Sequence, residues 1–220
     1  MHVLALVTQK GGSGKSTLAI GLAVAAMADG ECTALIEADV QGTVSKWKER
    51  RTGAYPHVER VADTAEMEQA IARLEAEGTW LAIIDTAATN NALAMRAIAR
   101  SDFCLIPARP TPADIEAAIP TLIAIRRLGR RFAFVLNQAP PRGGRVSEAG
   151  TSLNSLGLLA LPYIGQRNDH QDALGAGLAV TEFARAGKAS EEIQALWRWI
   201  STQLIGESSL RAQTILKAAS

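Results

Sequence analysis

The stretch that decides the fold of this chain reads Gln9-Lys10-Gly11-Gly12-Ser13-Gly14-Lys15-Ser16-Thr17. It follows an apolar, strand-like run, His2–Thr8, and precedes a stretch of helical character, Lys15–Ala28. A glycine-rich loop between a strand and a helix presents several backbone N–H groups to a phosphate, and the helix dipole adds positive potential. The stretch therefore predicts a P-loop, in which Lys15 reaches the β- and γ-phosphates of ATP and the Ser16 hydroxyl ligates Mg²⁺.

The loop departs from the strict G-x-x-x-x-G-K-[ST] pattern at one position. Gln9 stands in place of the first glycine, and a second lysine, Lys10, follows it. A chance glycine-rich turn is the alternative interpretation, but the strand before the loop and the helix after it are the context that a phosphate-binding loop requires. We therefore expect the residues from Gly11 to Thr17 to bind the nucleotide.

Apolar runs alternate with longer helical stretches along most of the chain. The other predicted strands are Thr33–Glu37, Trp80–Asp85, Phe103–Pro107, Phe132–Asn137 and Leu158–Pro162. The other predicted helices are Gly42–Arg51, Ala65–Glu77, Asn91–Arg100, Ala113–Leu128 and Val146–Leu156. Continuous Val/Ile/Leu runs without polar alternation are typical of strands covered on both faces. The pattern predicts an α/β fold with a doubly wound, mostly parallel sheet flanked by helices.

The last part of the chain predicts a terminal helix at about residues 190–205. Its apolar residues follow the i, i+3, i+4, i+7 spacing of a helix that packs on one face: they are Ile193, Leu196, Trp197, Ile200 and Leu204. A membrane-surface or partner-binding helix is the alternative, but its flanking charge is mixed rather than strongly basic. With no repeat and no low-complexity linker, residues 1–220 are predicted to form a single P-loop ATPase domain.

Carboxylates stand at the ends of two predicted strands. Glu37 and Asp39 close the second strand and Asp85 closes the third. In parallel sheets ligands bind beyond the carboxyl ends of the strands, which is where a carboxylate can hold Mg²⁺ through water. An Asp at such a position can also be only a helix N-cap.

The composition favours a compact cytosolic protein. Of the 220 residues, 48 % are hydrophobic and 20 % are charged, which allows a sizeable core. No basic leader and no apolar stretch of the ~20 residues that span a bilayer are expected. Cys32 and Cys104 are too few for a disulfide framework, and their apolar settings predict buried, reduced thiols.

The formal net charge of +1 favours no class of partner, but the distribution of charge is uneven. No Asp or Glu occurs between Ala117 and Ser147, where six arginines stand: Arg126, Arg127, Arg130, Arg131, Arg142 and Arg145. Two interpretations stay open. A local basic patch can bind a phosphate backbone, and cations also favour the C-terminus of an ordinary solvated helix.

Several motifs together resemble the ParA/MinD family of deviant Walker-A P-loop ATPases. Besides the P-loop with Lys10 they are Asp39–Gln41, Ile84-Asp85-Thr86, Leu136-Asn137-Gln138 and Leu161–Arg167 with Gly177 and Glu182. The chain most resembles the short ParA partition proteins, which have no N-terminal DNA-binding domain. It departs from the family's Asp-x-Asp-Pro-Gln and Asp-Thr-Pro-Pro segments, where it has Glu37–Gln41 and Asp85–Ala88.

The resemblance implies a role for each matching residue. Lys10 matches the signature lysine that reaches the partner's nucleotide in an ATP-sandwich dimer, and Gly12 permits the close approach of the subunits. Asp39 matches the carboxylate that positions the attacking water, and Asp85 matches the acidic group that holds Mg²⁺ through water. Asn137 matches the adenine-recognising residue, and Pro162 lies near the base pocket.

The resemblance also implies a function. A ParA-type protein hydrolyses ATP slowly until a partner stimulates it, forms a homodimer with ATP and binds DNA non-specifically. Such a protein is cytoplasmic and nucleoid-associated, and it segregates DNA or positions cargo with an adaptor such as a ParB-like centromere-binding protein. The candidate DNA contacts are Arg142, Arg145, Arg167, Arg185, Lys188 and Arg198.

Two other functions are alternatives. A MinD-like membrane-surface ATPase for cell division or cargo positioning needs a basic amphipathic tail, and Leu210–Lys217 is short and only mildly amphipathic. We therefore expect no stable membrane association. A reductase with an iron–sulfur cluster needs suitably placed cysteines, whereas Cys32 and Cys104 lie in apolar strand contexts.

Overall fold

A seven-stranded parallel sheet forms the centre of the molecule. The computed structural model describes residues 1–218, and the side chains of residues 1–206. The strands are β1 (His2–Leu6), β2 (Thr33–Ala38), β3 (His57–Arg60), β4 (Leu81–Thr86), β5 (Phe103–Ala108), β6 (Arg131–Leu136) and β7 (Leu159–Ala160). They lie in the order β3-β2-β4-β1-β5-β6-β7, and every pair is parallel.

Helices cover both faces of the sheet. They are α1 (Lys15–Ala28), α2 (Thr43–Arg50), α3 (Thr64–Ala76), α4 (Ala92–Arg100), α5 (Pro112–Arg127), α6 (Arg145–Leu156), α7 (Asp169–Gly175), α8 (Val180–Phe183) and α9 (Lys188–Ala218). The chain moves from β1 toward the β3 edge and then turns back toward the β7 edge. Because crossovers between parallel strands are right-handed, this reversal puts α1 and α2 on one face and α3 to α6 on the other. The predicted doubly wound α/β class is confirmed.

Three elements differ from the prediction. The edge strand β3 was not predicted from the sequence, because its residues His57-Val58-Glu59-Arg60 are exposed or half-buried and do not form an apolar run. A strand with only one neighbour is not covered on both faces, so it lacks that signal. The helices α7 and α8 have only seven and four residues, which is too short for a helical period to be recognised.

The predicted C-terminal packing helix corresponds to the first part of α9. Its five apolar residues named above are all buried, and the Trp197 indole N–H donates to Asp29 at the end of α1 over 2.7 Å. This helix therefore packs on the α1 face of the sheet, as its spacing indicated. The tail Leu210–Lys217 continues α9, but its side chains lie outside the described residues. The single-domain assignment of residues 1–220 stays a prediction.

The arginines of the acid-free stretch do not form one patch. Arg131 begins β6, so it lies at the amino end of the strands, with its guanidinium over the Phe103 ring. Arg126, at the end of α5, donates to the Leu156 carbonyl over 2.6 Å. Arg142 and Arg145 follow β6 and lie at its carboxyl end, about 17 Å away for a strand of this length. Arg126 and Arg127 therefore belong to the C-terminal turn of α5, whereas Arg131 belongs to β6.

Gly177 should be a position where even alanine destabilises the fold. Its φ is +70°, and a Cβ would lie 2.4 Å from the Arg50 carbonyl oxygen at the end of α2. Overpacking against backbone and a left-handed residue each cost about 1–3 kcal/mol, so we expect Gly177→Ala to lower the free energy of unfolding by about 2–4 kcal/mol. Urea unfolding measures the change.

Gly175 is the matched control for this substitution. It ends α7 two residues earlier, and a Cβ there would meet nothing within 4 Å. Gly175→Ala should leave the free energy of unfolding unchanged or raise it by up to about 1 kcal/mol. Equal effects of the two substitutions would show that the packing of Gly177 on α2 does not matter.

Candidate functional site

The P-loop lies in the middle of the carboxyl edge of the sheet. It follows β1, whose neighbours are β4 and β5, and it leads directly into α1. Gly12 and Gly14 have φ values of +73° and +90°, which favour glycine. A Cβ on Gly14 would also lie 2.3 Å from the Asn137 amide nitrogen. The glycine at this position is thus required by both its backbone and its neighbour.

Two amide side chains hold the P-loop from β6. Asn137 donates to the Ser13 carbonyl over 2.7 Å, and Gln138 donates to the Gly12 carbonyl over 2.8 Å. Gln138 directly follows Asn137. Its backbone has a φ of +53°, and its side chain also lies toward the loop. The sequence motif singled out Asn137 as an adenine contact, and the structure places its amide against the P-loop. The contribution of Gln138 was not predicted.

Two cavities adjoin the P-loop and share Gly12, Gly14 and Thr17 in their walls. The larger, about 460 Å³, is lined by the loop and by the segments that follow β2 and β4, which include Asp39, Gln41, Thr43 and Thr89. The smaller, about 260 Å³, is lined by Asn137, Gln138, Ile164, Gly165, Gln166, Arg167, His170 and Gln171. Their arrangement along one loop fits the phosphates and the base of one nucleotide.

Pro162 does not line the smaller cavity. The chain reaches the cavity two residues later, at Ile164, where the backbone N–H donates to the Leu136 carbonyl of β6 over 2.9 Å. The role of Pro162 near a base pocket therefore stays a prediction. The family motif Leu161–Arg167 includes the first four residues of this wall, whereas no sequence pattern marked His170 and Gln171.

Lys15 is buried at the floor of the larger cavity. Only 6 % of the residue is exposed, and burial lowers the pKa of its amine, while the charges of Asp85 and Asp39 act in the opposite direction. An ammonium group with little water around it interacts strongly with an anion that enters the cavity. Its position fits the predicted contact with the nucleotide phosphates.

Asp85 is the last residue but one of β4, beside the P-loop, and its carboxyl group is fully buried. Neither of its oxygens has a hydrogen bond of good geometry to any residue that the structure describes. Burial raises the pKa of this carboxyl group to about 7, while the Ser16 hydroxyl and Lys15 act to lower it. Mg²⁺ prefers oxygen ligands and needs only one or two from the protein beside water and phosphate, so an unpartnered carboxylate near Ser16 fits it.

Asp85 should make the nucleotide-free protein less stable as the pH rises. The folded-state pKa of about 7 lies above the ordinary 3.8, so the stabilisation is complete below pH 4 and is lost as the pH rises through 7. Asp85→Asn removes this loss, and we expect its free energy of unfolding to exceed that of the parent by about 2 kcal/mol at pH 8 and by much less at pH 5. Urea unfolding at the two pH values measures it.

Asp114 is the matched control for the Asp85 substitution. It is also buried, but hydrogen bonds from Arg109 and Thr111 lower the pKa of its carboxyl group, although burial itself acts to raise it. Asp114→Asn should therefore destabilise the protein at pH 8. A gain in stability in both variants, or in neither, would contradict the assigned state of Asp85.

The two carboxylates at the end of β2 have different partners. The Asp39 side chain accepts from the Gln41 backbone N–H over 2.9 Å and lines the larger cavity. Glu37 is fully buried, and both of its oxygens accept from the first turn of α2 instead. Glu37 thus caps the first turn of α2 from within β2, although the N-cap residue itself is Gly42, and Asp39 lies at the larger cavity.

Lys10 lies beside the larger cavity and does not line it. Its side chain is half-buried, and its backbone N–H donates to the Thr8 hydroxyl over 3.4 Å. Gly11 and Gly12 next to it are exposed. Lys15 and Lys10 are thus separated by the glycines of the loop, and only Lys15 points to the chain's own cavity.

The candidate DNA contacts Arg145, Arg167, Arg185 and Arg198 lie on more than one surface. Arg145 lines a groove between α5 and α6, whereas Arg185 and Arg198 line a groove between α1 and the helices α8 and α9. Arg167 is bound in a two-pronged ion pair with Glu192 of α9. Within one described chain, these cations therefore do not share one face.

The cysteines occupy different environments. Cys104 in β5 is buried as expected, and burial raises the pKa of its thiol to about 12. Cys32 is exposed, because it stands just before β2 at the sheet's amino edge, which corrects its predicted burial.

In a search limited to the described residues, no helix has the length and apolarity needed to cross a membrane.

Comparisons with known proteins agree with this geometry. The family model described as VirC1 protein matches residues 1–186. The maintenance of carboxysome distribution protein A of Gloeobacter kilaueensis is 30 % identical, over 92 % of this chain and 94 % of that protein.

Solved structures share the fold at low sequence identity. The cell division ATPase MinD of Pyrococcus furiosus superposes with a TM-score of 0.74 at 18 % identity, over 92 % of this chain and 99 % of that one. An ATP complex of a Cyanothece McdA variant gives 0.74 at 16 % identity, over 94 % and 96 % of the two chains. The chain belongs to the VirC1 protein family, and its fold is the one seen in the solved MinD and McdA structures.

Proposed function

We propose that this protein is a ParA-type ATPase that forms an ATP-dependent sandwich dimer and uses hydrolysis to position DNA or another cargo. The observation that carries the proposal is that the two lysines of the P-loop lie in different positions. Lys15 is buried in the chain's own cavity, and Lys10 stands outside it beside exposed glycines. A second lysine outside its own cavity suits a site that two subunits share.

Within one subunit, Lys15 binds the β- and γ-phosphates and neutralises the charge that grows on them as the bond to the leaving ADP breaks. Asp39 orients the water that adds to the γ-phosphorus, with one proton released. Ser16 and, through water, Asp85 would hold Mg²⁺, which would neutralise phosphate charge. The backbone from Gly11 to Thr17 holds the phosphates, and Asn137 contacts the adenine.

Between subunits, Lys10 reaches the partner's phosphates and acts as an arginine finger does in other P-loop enzymes. Gly12 allows the loops to approach, and Val40, which is 78 % exposed at the rim of the cavity, gives an apolar contact there. An exposed valine beside an active site is covered when a second subunit closes over it. Hydrolysis is slow until a partner completes this arrangement.

Dimer formation also bears on DNA binding. The candidate cations lie on separate surfaces of one chain, so a dimer presents each of them twice and can spread phosphate contacts over a longer path. Such contacts are non-specific, and they place the protein on the nucleoid in the cytoplasm. The cargo is recognised through an adaptor, which is ParB-like if the cargo is DNA. The carboxysome-distribution relative favours positioning of a protein cargo as the second form of this function.

The test is DNA binding with ATP, with ADP and without nucleotide, each at two salt concentrations. Binding should be strong only with ATP and should weaken steeply as salt rises, because phosphate contacts release counterions. Lys10→Ala should bind ATP but lose both the dimer, measured by light scattering, and the DNA binding. Equal binding in all three nucleotide states, or a normal ATP-dependent dimer of the Lys10 variant, would overturn the switch.

A further inference from the structure

Glu37 is a charged residue in an unusual setting. It is the last residue but one of β2, it is fully buried, and no described cation forms a salt bridge with it. Its carboxylate accepts from the Val44 backbone N–H over 2.6 Å and, with each oxygen, from the Ser45 backbone N–H over 3.3 Å. The Ser45 hydroxyl also donates to it. All its donors belong to the first turn of α2.

The first turn of α2 has no other cap. Its N-cap residue is Gly42, which has a φ of +67° and no side chain to accept a hydrogen bond. Free N–H groups at a helix start need acceptors, and the helix dipole favours an anion there. Glu37 supplies the acceptor oxygens and the negative charge from the preceding strand, so it joins the end of β2 to the start of α2.

The short segment between these two anchors forms one wall of the larger cavity. Asp39, Val40, Gln41 and Thr43 line that cavity. Within the segment the Asp39 carboxylate accepts from the Gln41 N–H over 2.9 Å, and the Asp39 carbonyl accepts from the Gly42 N–H over 3.1 Å. The bond from Glu37 to α2 thus closes a loop of few residues that carries Asp39.

We infer that Glu37 is a positioning residue for hydrolysis: by capping α2 it fixes the Asp39 segment over the phosphates. The inference rests on the proposed function, because it concerns the residue proposed to orient the attacking water. Glu37 lines neither of the two cavities, so its loss should change the placement of Asp39 more than the binding of ATP. A displacement of about 1 Å in such a group can lower a rate by about 100-fold.

The substitution Glu37→Gln tests the role of Glu37 in placing Asp39 without changing the size of the side chain at position 37. Glutamine keeps the length of the side chain, but its NH₂ group cannot accept from Ser45, so part of the α2 cap is lost. We expect kcat for ATP to fall by about tenfold or more and KM to change by less than about threefold. Glu37→Asp keeps the charge on a shorter side chain and should recover part of the loss in kcat.

Asp114→Asn is the matched control. Asp114 is also a buried carboxylate at the first turn of a helix, α5, where it pairs with Arg109 and Thr111, and it does not line the nucleotide cavities. It should lose thermal stability comparably to Glu37→Gln but keep the parent kcat. A wild-type kcat in Glu37→Gln, or the same fall in kcat in both variants, would overturn the positioning role.

Ser45→Ala keeps the inference testable if Glu37→Gln does not fold. It removes one donor to Glu37 and leaves the carboxylate in place, so kcat should fall by about two- to fivefold with KM unchanged; an unchanged kcat would overturn the inference. The proposed function has its own outcome. If Asp39→Ala retains full activity, that function fails, whereas an inactive Asp39→Ala beside a fully active Glu37→Gln refutes only the role of Glu37.

Discussion

Lys15→Ala is expected to weaken ATP binding by about 100-fold or more, with the loss of hydrolysis, dimer and DNA binding as consequences. Lys15 is the buried cation of the phosphate cavity, and charge-assisted hydrogen bonds contribute about 1.5–3 kcal/mol each. Its removal also takes away a charge that lowers the pKa of Asp85, so the carboxyl group will hold its proton to higher pH and will bind Mg²⁺ less well. Isothermal titration with Mg-ATP measures the loss.

Lys10→Ala is the control for this prediction. It changes the other lysine of the same loop, which lies outside the cavity of its own chain, so the monomer should bind ATP within about threefold of the parent.

Lys15→Ala should also fold at least as stably as the parent without nucleotide, because it removes a charge whose burial is unfavourable. Retention of near-normal ATP affinity in the Lys15 variant would refute the P-loop assignment.

Asp39→Ala should lower kcat by about 100-fold or more while ATP affinity stays within about threefold. Asp39 lies on the cavity wall formed by the segment between β2 and α2, opposite the glycines of the P-loop, and it does not belong to the loop itself. Because ATP still binds and is not consumed, the ATP-bound dimer should persist, and size-exclusion chromatography after mixing with ATP should show a lasting dimer peak. Steady-state hydrolysis at saturating ATP gives kcat, and a single-turnover experiment shows whether the chemical step has slowed.

Asp39→Asn distinguishes the charge of Asp39 from its local hydrogen bond. The asparagine oxygen can still accept from the Gln41 N–H, a bond of 2.9 Å in the parent, so the turn that carries it is kept. We expect the same loss of kcat as in Asp39→Ala. Recovery of activity in Asp39→Asn would mean that the residue acts by shaping the turn rather than by orienting water.

The regions that could be predicted from the sequence are those in which local pattern and burial agree. The strands β1, β2, β4, β5 and β6 are continuous apolar runs because helices cover both of their faces, and the apolar spacing of α9 identified its packing face. The P-loop was predicted because its glycines, Lys15 and Ser16 act together within nine consecutive residues. The strand β3 and the helices α7 and α8 carry no such pattern, because they are exposed or short.

The sequence by itself thus determined the strand–loop–helix that binds phosphate, the two lysines in it and the parallel sheet around it, because these depend on neighbours within a few positions. Tertiary structure alone decided which distant side chains meet that loop. It placed Asn137 and Gln138 on the loop carbonyls, turned Glu37 to α2 and left the buried Asp85 without a well-formed hydrogen bond to any described residue. The two amide contacts join residues 124 and 126 positions apart, and they arise only when the strands align and bring their carboxyl ends to one edge.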